Sequence, residues 1–171
     1  MPKVIEKVRE QLLDEVRRQI VHSGYAQTTI RSVAEGCSIS VGTVYNYFKS
    51  KDVLVAAAVA EDWKETTQRL KDSSPTSASA MLSLIWDTLR SFEEEHRALF
   101  TDSEAKKKFS SVFAEWHSVL RSQIASFLSP FFDSGFLSLF VSEALLTWVT
   151  EGVEYTQFYK VIEKLIYKET Q

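Results

Sequence analysis

The chain has 171 residues, 44% of them apolar, with 20 Lys/Arg against 23 Asp/Glu and a net charge of −3, a composition that can bury a sizeable core. Five Gly and three Pro argue against the frequent turns of a sheet protein and for long helices. Cys37 is the only cysteine, which excludes an internal disulfide and a cysteine-based zinc knuckle and makes a reducing cytoplasm the expected compartment.

Ile5, Val8, Leu12, Val16 and Ile20 fall on one face of a first helix, with Arg9, Arg17 and Arg18 off that stripe. Charges run through its apolar residues, unlike an export signal, and Gly24 is its expected stop. A short second helix starts from Thr29 as N-cap and buries Ile30, Val33 and Ala34. Gly36-Cys37-Ser38 ends it, Ile39 plugs the turn, and Ser40 caps a third helix that buries Val44 and Phe48. Ser50 caps a fourth helix, with Asp52 in its first turn complementing the dipole. That helix runs without a linker to about Lys71, so movement at one end can be felt at the other.

The polar run Asp72–Ser77 is the clear boundary. Leu82, Ile85, Leu89, Phe92, His96 and Leu99 trace a fifth helix, and a short piece around Arg97 to Thr101 follows. A long helix passes through Phe109, Val112, Trp116, Val119, Gln123 and Phe127 until Ser129-Pro130. Two last helices are expected from about Phe136 to Gly152 and from about Tyr155 to Lys168. The most apolar stretch, Phe136 to Val149, is interrupted by Glu143 and falls short of the ~20 residues of a membrane span. The expected fold is all-α with about nine helices: a three-helix N-terminal domain, residues 1–54, joined by the fourth helix to a helical domain, residues 55–171.

Charge is uneven along this layout. Residues 1–51 hold eight Lys/Arg against five acids, so a basic head precedes an acidic remainder. Such a head suits a polyanionic partner.

The ordered set Gly24-Tyr25, Thr28-Thr29-Ile30, Val33-Ala34, Ser40-x-Gly42-Thr43-Val44-Tyr45, Tyr47-Phe48-Lys49, Ser50-Lys51 and Leu54 resembles the DNA-binding domain of the tetracycline-repressor (TetR) family. The resemblance covers roughly the first third of the chain and places a helix-turn-helix at about residues 29–48. It implies that Thr28, Thr29, Tyr45, Tyr47 and Lys51 meet the DNA backbone and that Val41, Gly42 and Thr43 lie nearest the bases. The chemistry of these positions agrees. Ser40, Val41 and Thr43 are short, and Gly42 has no Cβ to hold a backbone away. Val41 and the Thr43 methyl suit a thymine methyl, and hydroxyls suit bases or phosphates. Lys49 and Lys51 add charge, and Tyr45 reads either as a phosphate contact or as core. Val41 stands where family members often carry Lys or Arg, and Ser38 where glycine is common, at a cost in backbone strain. With so few basic residues at the head of the reading helix, base selectivity rests on apolar contact, water and DNA shape.

The same resemblance implies an effector pocket between the fourth, fifth and seventh helices for a small hydrophobic or aromatic molecule. Trp63, Trp86, Phe92, Phe113, Trp116 and Phe127 are its candidate lining, and Asp87, Arg90, His117 and Gln123 its candidate polar contacts; the aromatics read equally as core. No metal or cofactor is expected, since His96 and His117 lack ligand spacing. Glu93-Glu94-Glu95 and Lys106-Lys107-Lys108 read as solvated helix surface.

The last two helices carry apolar residues on more than one face, which suggests a seam with a second copy of the chain. Phe140, Ala144, Leu145, Trp148, Phe158, Ile162 and Leu165 are its candidates. A two-fold dimer would present two reading helices to half-sites ~34–36 Å apart. The expected function is a homodimeric repressor that leaves a pseudo-palindromic operator in double-stranded DNA when a small molecule binds. A protein-interaction adaptor or non-specific DNA binder is the alternative. No nucleophile elbow, paired-carboxylate motif or phosphate-binding glycine loop marks an enzyme, and no membrane partner is expected.

Overall fold

The computed structural model describes residues 2–166, with side chains described for 7–109 and 115–166. Over these the chain is all-α, as expected: nine α-helices, one 3-10 turn and no strand. The helices are α1 (Pro2–Gln27), α2 (Ile30–Gly36), α3 (Val41–Tyr47), α4 (Lys51–Asp72), α5 (Ala78–Glu95), α6 (Arg97–Thr101), α7 (Ser103–Leu128), α8 (Gly135–Thr150) and α9 (Tyr155–Ile166), with the 3-10 turn Ser129–Phe131 between α7 and α8. Residues 167–171, and with them the expected end at Lys168, lie outside the described residues. Among those described, no helix is long and apolar enough to cross a membrane. The chain forms two compact units, residues 1–65 with 96–110 and residues 66–95 with 111–171.

In the first unit α1 buries Leu12, Leu13, Val16 and Ile20. Gly24 interrupts α1 as expected, leaving helical geometry at φ +78°, and one further short turn carries Tyr25 into full burial. Thr28 closes that turn, its N–H donating to the Tyr25 carbonyl (3.2 Å) and its hydroxyl to the Gly24 carbonyl (2.9 Å).

Thr29 caps α2 as expected, accepting from the Ser32 N–H at 3.0 Å. The Ser32 hydroxyl oxygen accepts from the Thr29 N–H at 3.0 Å, a reciprocal box built with serine in place of Glu or Gln. Gly36 lets α2 lie close on α1, because a Cβ there would stand 2.0 Å from Glu15 Oε1. Ser38 makes the turn at φ +55°. Ser40 Oγ accepts from the Thr43 N–H (3.0 Å) to cap α3, whose Val44, with Phe48 just beyond its end, is buried. Ser50 Oγ accepts from the Val53 N–H (3.2 Å) at the head of α4.

Two expectations about the body are corrected. His96 and Leu99 do not continue α5, which ends at Glu95. His96 leaves helical geometry and its carbonyl accepts from the Leu99 and Phe100 N–H groups to start α6. A break of one residue leaves the apolar repeat nearly in phase, so periodicity runs across it. On α7, Val119 and Gln123 are exposed, and among its described side chains the buried ones are Ala105 and Phe109 in the first unit and Ile124, Ala125 and Leu128 in the second; the Val112 side chain lies outside the described residues. The helix buries different faces in its two halves, which a single stripe cannot describe.

The second unit packs α5 on α8 and α8 on α9. The Trp86 ring lies 4.9 Å from Phe158 and 5.6 Å from Tyr155, and Trp148 meets Phe158 edge-on at 5.8 Å. Ser142 is buried within α8, where its hydroxyl donates to the Ser138 carbonyl at 2.6 Å.

Candidate nucleic-acid interface

The start of α2, the end of α3 and the start of α4 converge on an open groove of about 440 Å³ lined by Thr28, Thr29, Ile30, Arg31, Tyr45, Lys49, Ser50 and Lys51. Three of the eight lining residues are cationic and none is acidic, so an anion entering it meets no opposing carboxylate in the wall. The N-terminus of α4 adds the positive end of a 22-residue helix.

Beside the groove, α3 shows Val41, Gly42, Tyr45 and Asn46 to solvent, with Val41 37% and Tyr45 54% exposed. That exposure resolves the two readings of Tyr45 against core. A Cβ on Gly42 would meet only Ser40 Oγ, at 3.7 Å, so packing within the head does not demand glycine there. Ser40 and Thr43 hold their hydroxyls 2.8 Å apart over the first turn of α3. Tyr47 is half-buried, its ring 6.5 Å from that of Phe48.

Behind the groove stands Tyr25. Its hydroxyl donates to Asp52, and burial together with the Asp52 carboxylate pushes the phenol well above its ordinary pKa. The Lys51 ammonium lies 3.9 Å from the centre of the Tyr25 ring and donates to the Tyr25 carbonyl at 2.9 Å. Lys51 is therefore a charge held in place at the rim.

Thr28 is corrected. It is fully buried with its hydroxyl given to Gly24, so it positions Thr29 and offers a phosphate no side chain. Two exposed polar residues escaped the sequence reading. Arg31 lines the groove, paired with Glu35 at 3.3 Å, and Asn46 stands one turn beyond Gly42. The signal for both was present: Arg31 lies off the buried Ile30, Val33 and Ala34 face of α2, and Asn46, at i+4 from Gly42, shares its side of α3.

Asp87 and Phe92 line a groove of about 320 Å³ in the second unit, with Thr66, Arg69, Leu84, Thr88, Ser91 and Glu95. Trp86 is core between α5 and α9. Arg90 pairs with Glu94 at 3.7 Å, Gln123 is exposed, and Trp116 and Phe127 are half-buried. His117 lies 3.6 Å from Glu143 of α8. Trp63 is buried and belongs to the first unit, and the Phe113 side chain lies outside the described residues.

Of the seam candidates, Leu145, Phe158 and Ile162 are fully buried within the chain and cannot meet a second copy. Periodicity locates apolar faces without saying which face the chain itself covers. The outward stripe of α8 is instead Phe136 (79% exposed), Leu139 and Phe140, continued by the half-buried Glu143, Ala144 and Thr147; α9 adds Val161 and Leu165, and Trp148 is half-buried. Glu143 interrupts the stripe, with Arg121 at 3.5 Å and His117 at 3.6 Å.

Comparison with known proteins agrees with this geometry. Residues 12–58 match the family model "Bacterial regulatory proteins, tetR family". The HTH-type transcriptional regulator BetI of Burkholderia ambifaria is 45% identical over 75 residues, 40% of this chain and 39% of that regulator, so the match spans well under half of the relative. Across the whole chain the fold resembles a TetR-family transcriptional regulator from Haemophilus influenzae RD (TM-score 0.52, 18% identity, 95% of this chain and 96% of that one). It also resembles the transcriptional regulator FadR from Bacillus subtilis, solved in complex with stearoyl-CoA (TM-score 0.53, 18% identity, 92% of this chain and 97% of that one).

Proposed function

We propose that this chain, whose residues 12–58 match the tetR family model, is a DNA-binding transcriptional regulator, a cytoplasmic homodimeric repressor that a small molecule releases from a pseudo-palindromic operator. The observation that carries the reading is the carboxylate-free groove of Arg31, Lys49 and Lys51 beside the exposed face of α3. Residues 1–54 act as the DNA-binding domain and 55–171 as the effector and dimerisation domain. A phosphate run lies in the groove, held by Thr29, Tyr45, Lys49 and Lys51, while Val41, Gly42, Thr43 and Asn46 approach base edges in the major groove. The outward stripe of α8, with Val161 and Leu165, meets a second copy. The complex of Bacillus subtilis FadR with stearoyl-CoA supports a ligand-binding body on this fold, and at 18% identity it leaves the effector of this chain open. The effector acts only through a difference in its affinity for the operator-bound and free states.

The test is specific binding of wild type and Tyr45→Ala to the DNA upstream of the chain's own coding sequence, in moderate salt. Tyr45 is too exposed for its loss to unfold the head, and the expected result is about a tenfold loss of affinity, ~1.4 kcal/mol. Equal tight binding by both proteins refutes the assigned contact. Weak binding that ignores sequence and falls steeply with salt favours the adaptor or non-specific binder over a regulator.

A further inference from the structure

The first turns of α7 carry three consecutive exposed lysines, Lys106, Lys107 and Lys108, which the DNA-binding domain as matched does not include. They nevertheless belong to the same compact unit as that domain. Ala105 and Phe109 turn inward and pin this segment, and the Phe109 ring meets Tyr25 edge-on at 5.6 Å. The Lys51 ammonium also lies beside the Tyr25 ring, 3.9 Å from its centre and at the rim of the groove, while the Tyr25 hydroxyl donates to Asp52. One aromatic ring therefore separates the groove's edge from the turn that bears the lysines, and all three lie within a helical pitch (~5.4 Å) of Phe109 along α7.

Charge points the same way. Residues 1–65 hold nine Lys/Arg and nine Asp/Glu, whereas 96–110 hold four and two, so the net positive charge of the unit comes from this segment. Of its two acids, Asp102 is turned to the helix end, where its Oδ1 accepts from the Glu104 and Ala105 N–H groups at 2.9 Å each. Resting on the DNA-binding reading above, we propose that Lys106, Lys107 and Lys108 form a second contact to the phosphate backbone of duplex DNA, continuing the groove's phosphate run beyond the helix-turn-helix. Flexible stems and point charges suit a contact that strengthens binding without reading sequence.

The experiment titrates wild type and the triple variant Lys106→Gln/Lys107→Gln/Lys108→Gln against a labelled mixed-sequence duplex of about 30 base pairs, between about 25 and 200 mM salt. Glutamine keeps helix propensity, and circular dichroism verifies the fold. Each lost phosphate contact lowers the slope of log affinity against log salt by ~0.9, so the triple variant is expected to lose about two to three from the slope, and at least tenfold in affinity at the lowest salt. Lys160→Gln/Lys164→Gln on α9 is the control for net charge and is expected to leave the slope unchanged. A triple variant that matches wild type, or a control that falls as far as the triple variant, overturns the second contact while DNA binding stands. A wild type that binds no duplex at any salt overturns the DNA-binding reading itself, and this inference with it.

Discussion

Ser38 holds φ +55° in the turn between α2 and α3, a conformation in which a Cβ crowds the backbone at a cost of roughly 1–2 kcal/mol. Its side chain is exposed, so the serine brings little packing in compensation. Ser38→Gly is expected to relieve the strain and, after the added freedom of glycine in the unfolded chain, to raise stability by about 0.5–1 kcal/mol. That corresponds to a rise of a few degrees in the thermal midpoint. An unchanged or lower midpoint by differential scanning calorimetry would show that the turn is not strained. Cap and turn residues of this kind were the most legible part of the sequence: Thr29, Ser40 and Ser50 all cap the helices assigned to them, because one side chain and its neighbour N–H carry the whole interaction. Thr28 was not legible. Its burial depends on the short extra turn after Gly24, which a helix stop at Gly24 does not announce.

Helix-to-helix ties in the first unit converge on Asp62 of α4. It receives Arg17 of α1 through two contacts, Nη2 at 2.5 Å and Nε at 3.1 Å, and lies 2.9 Å from Nε2 of His96, which opens α6. Burial pushes the Asp62 carboxyl up, but the hydrogen bonds from His96 and Arg17 outweigh it and hold the pKa below the ordinary 3.8. A depressed carboxylate stabilises the fold above its ordinary pKa, and that contribution disappears as pH falls through the lowered value. Asp62→Asn is therefore expected to cost about 1–3 kcal/mol at neutral pH in urea unfolding. The gap from wild type should close in strong acid; a gap of constant size would mean that lost packing, not lost charge, explains it. Sequence periodicity located α1 and α5 with their apolar faces, and the Ser50 cap located the start of α4, yet nothing in them joined positions 17, 62 and 96. Contacts between elements are set by how faces meet, and the repeat along one helix carries no information about its partner. Trp86 makes the same point, since its rings of contact come from α9.

For the whole molecule, the proposed pairing makes the apolar stripe of α8 its most exposed liability. Phe140→Glu places a charge in the stripe without touching the core that Leu145, Phe158 and Ile162 fill. Sedimentation should find the wild type dimeric and this variant monomeric with unchanged helicity; a dimeric variant, or a monomeric wild type, would place the seam elsewhere. The stripe is not uniformly apolar, because Glu143 sits within it beside Arg121 and His117 of its own chain. A carboxylate covered by an apolar partner loses water and gains nothing beyond what Arg121 of its own chain, 3.5 Å away, returns to it. In the proposed seam, the Glu143–Arg121 pair penalises alignments that cover it with apolar side chains and strip its water. Under the proposed pairing, Glu143 acts as an index mark along α8 that selects one alignment of the seam.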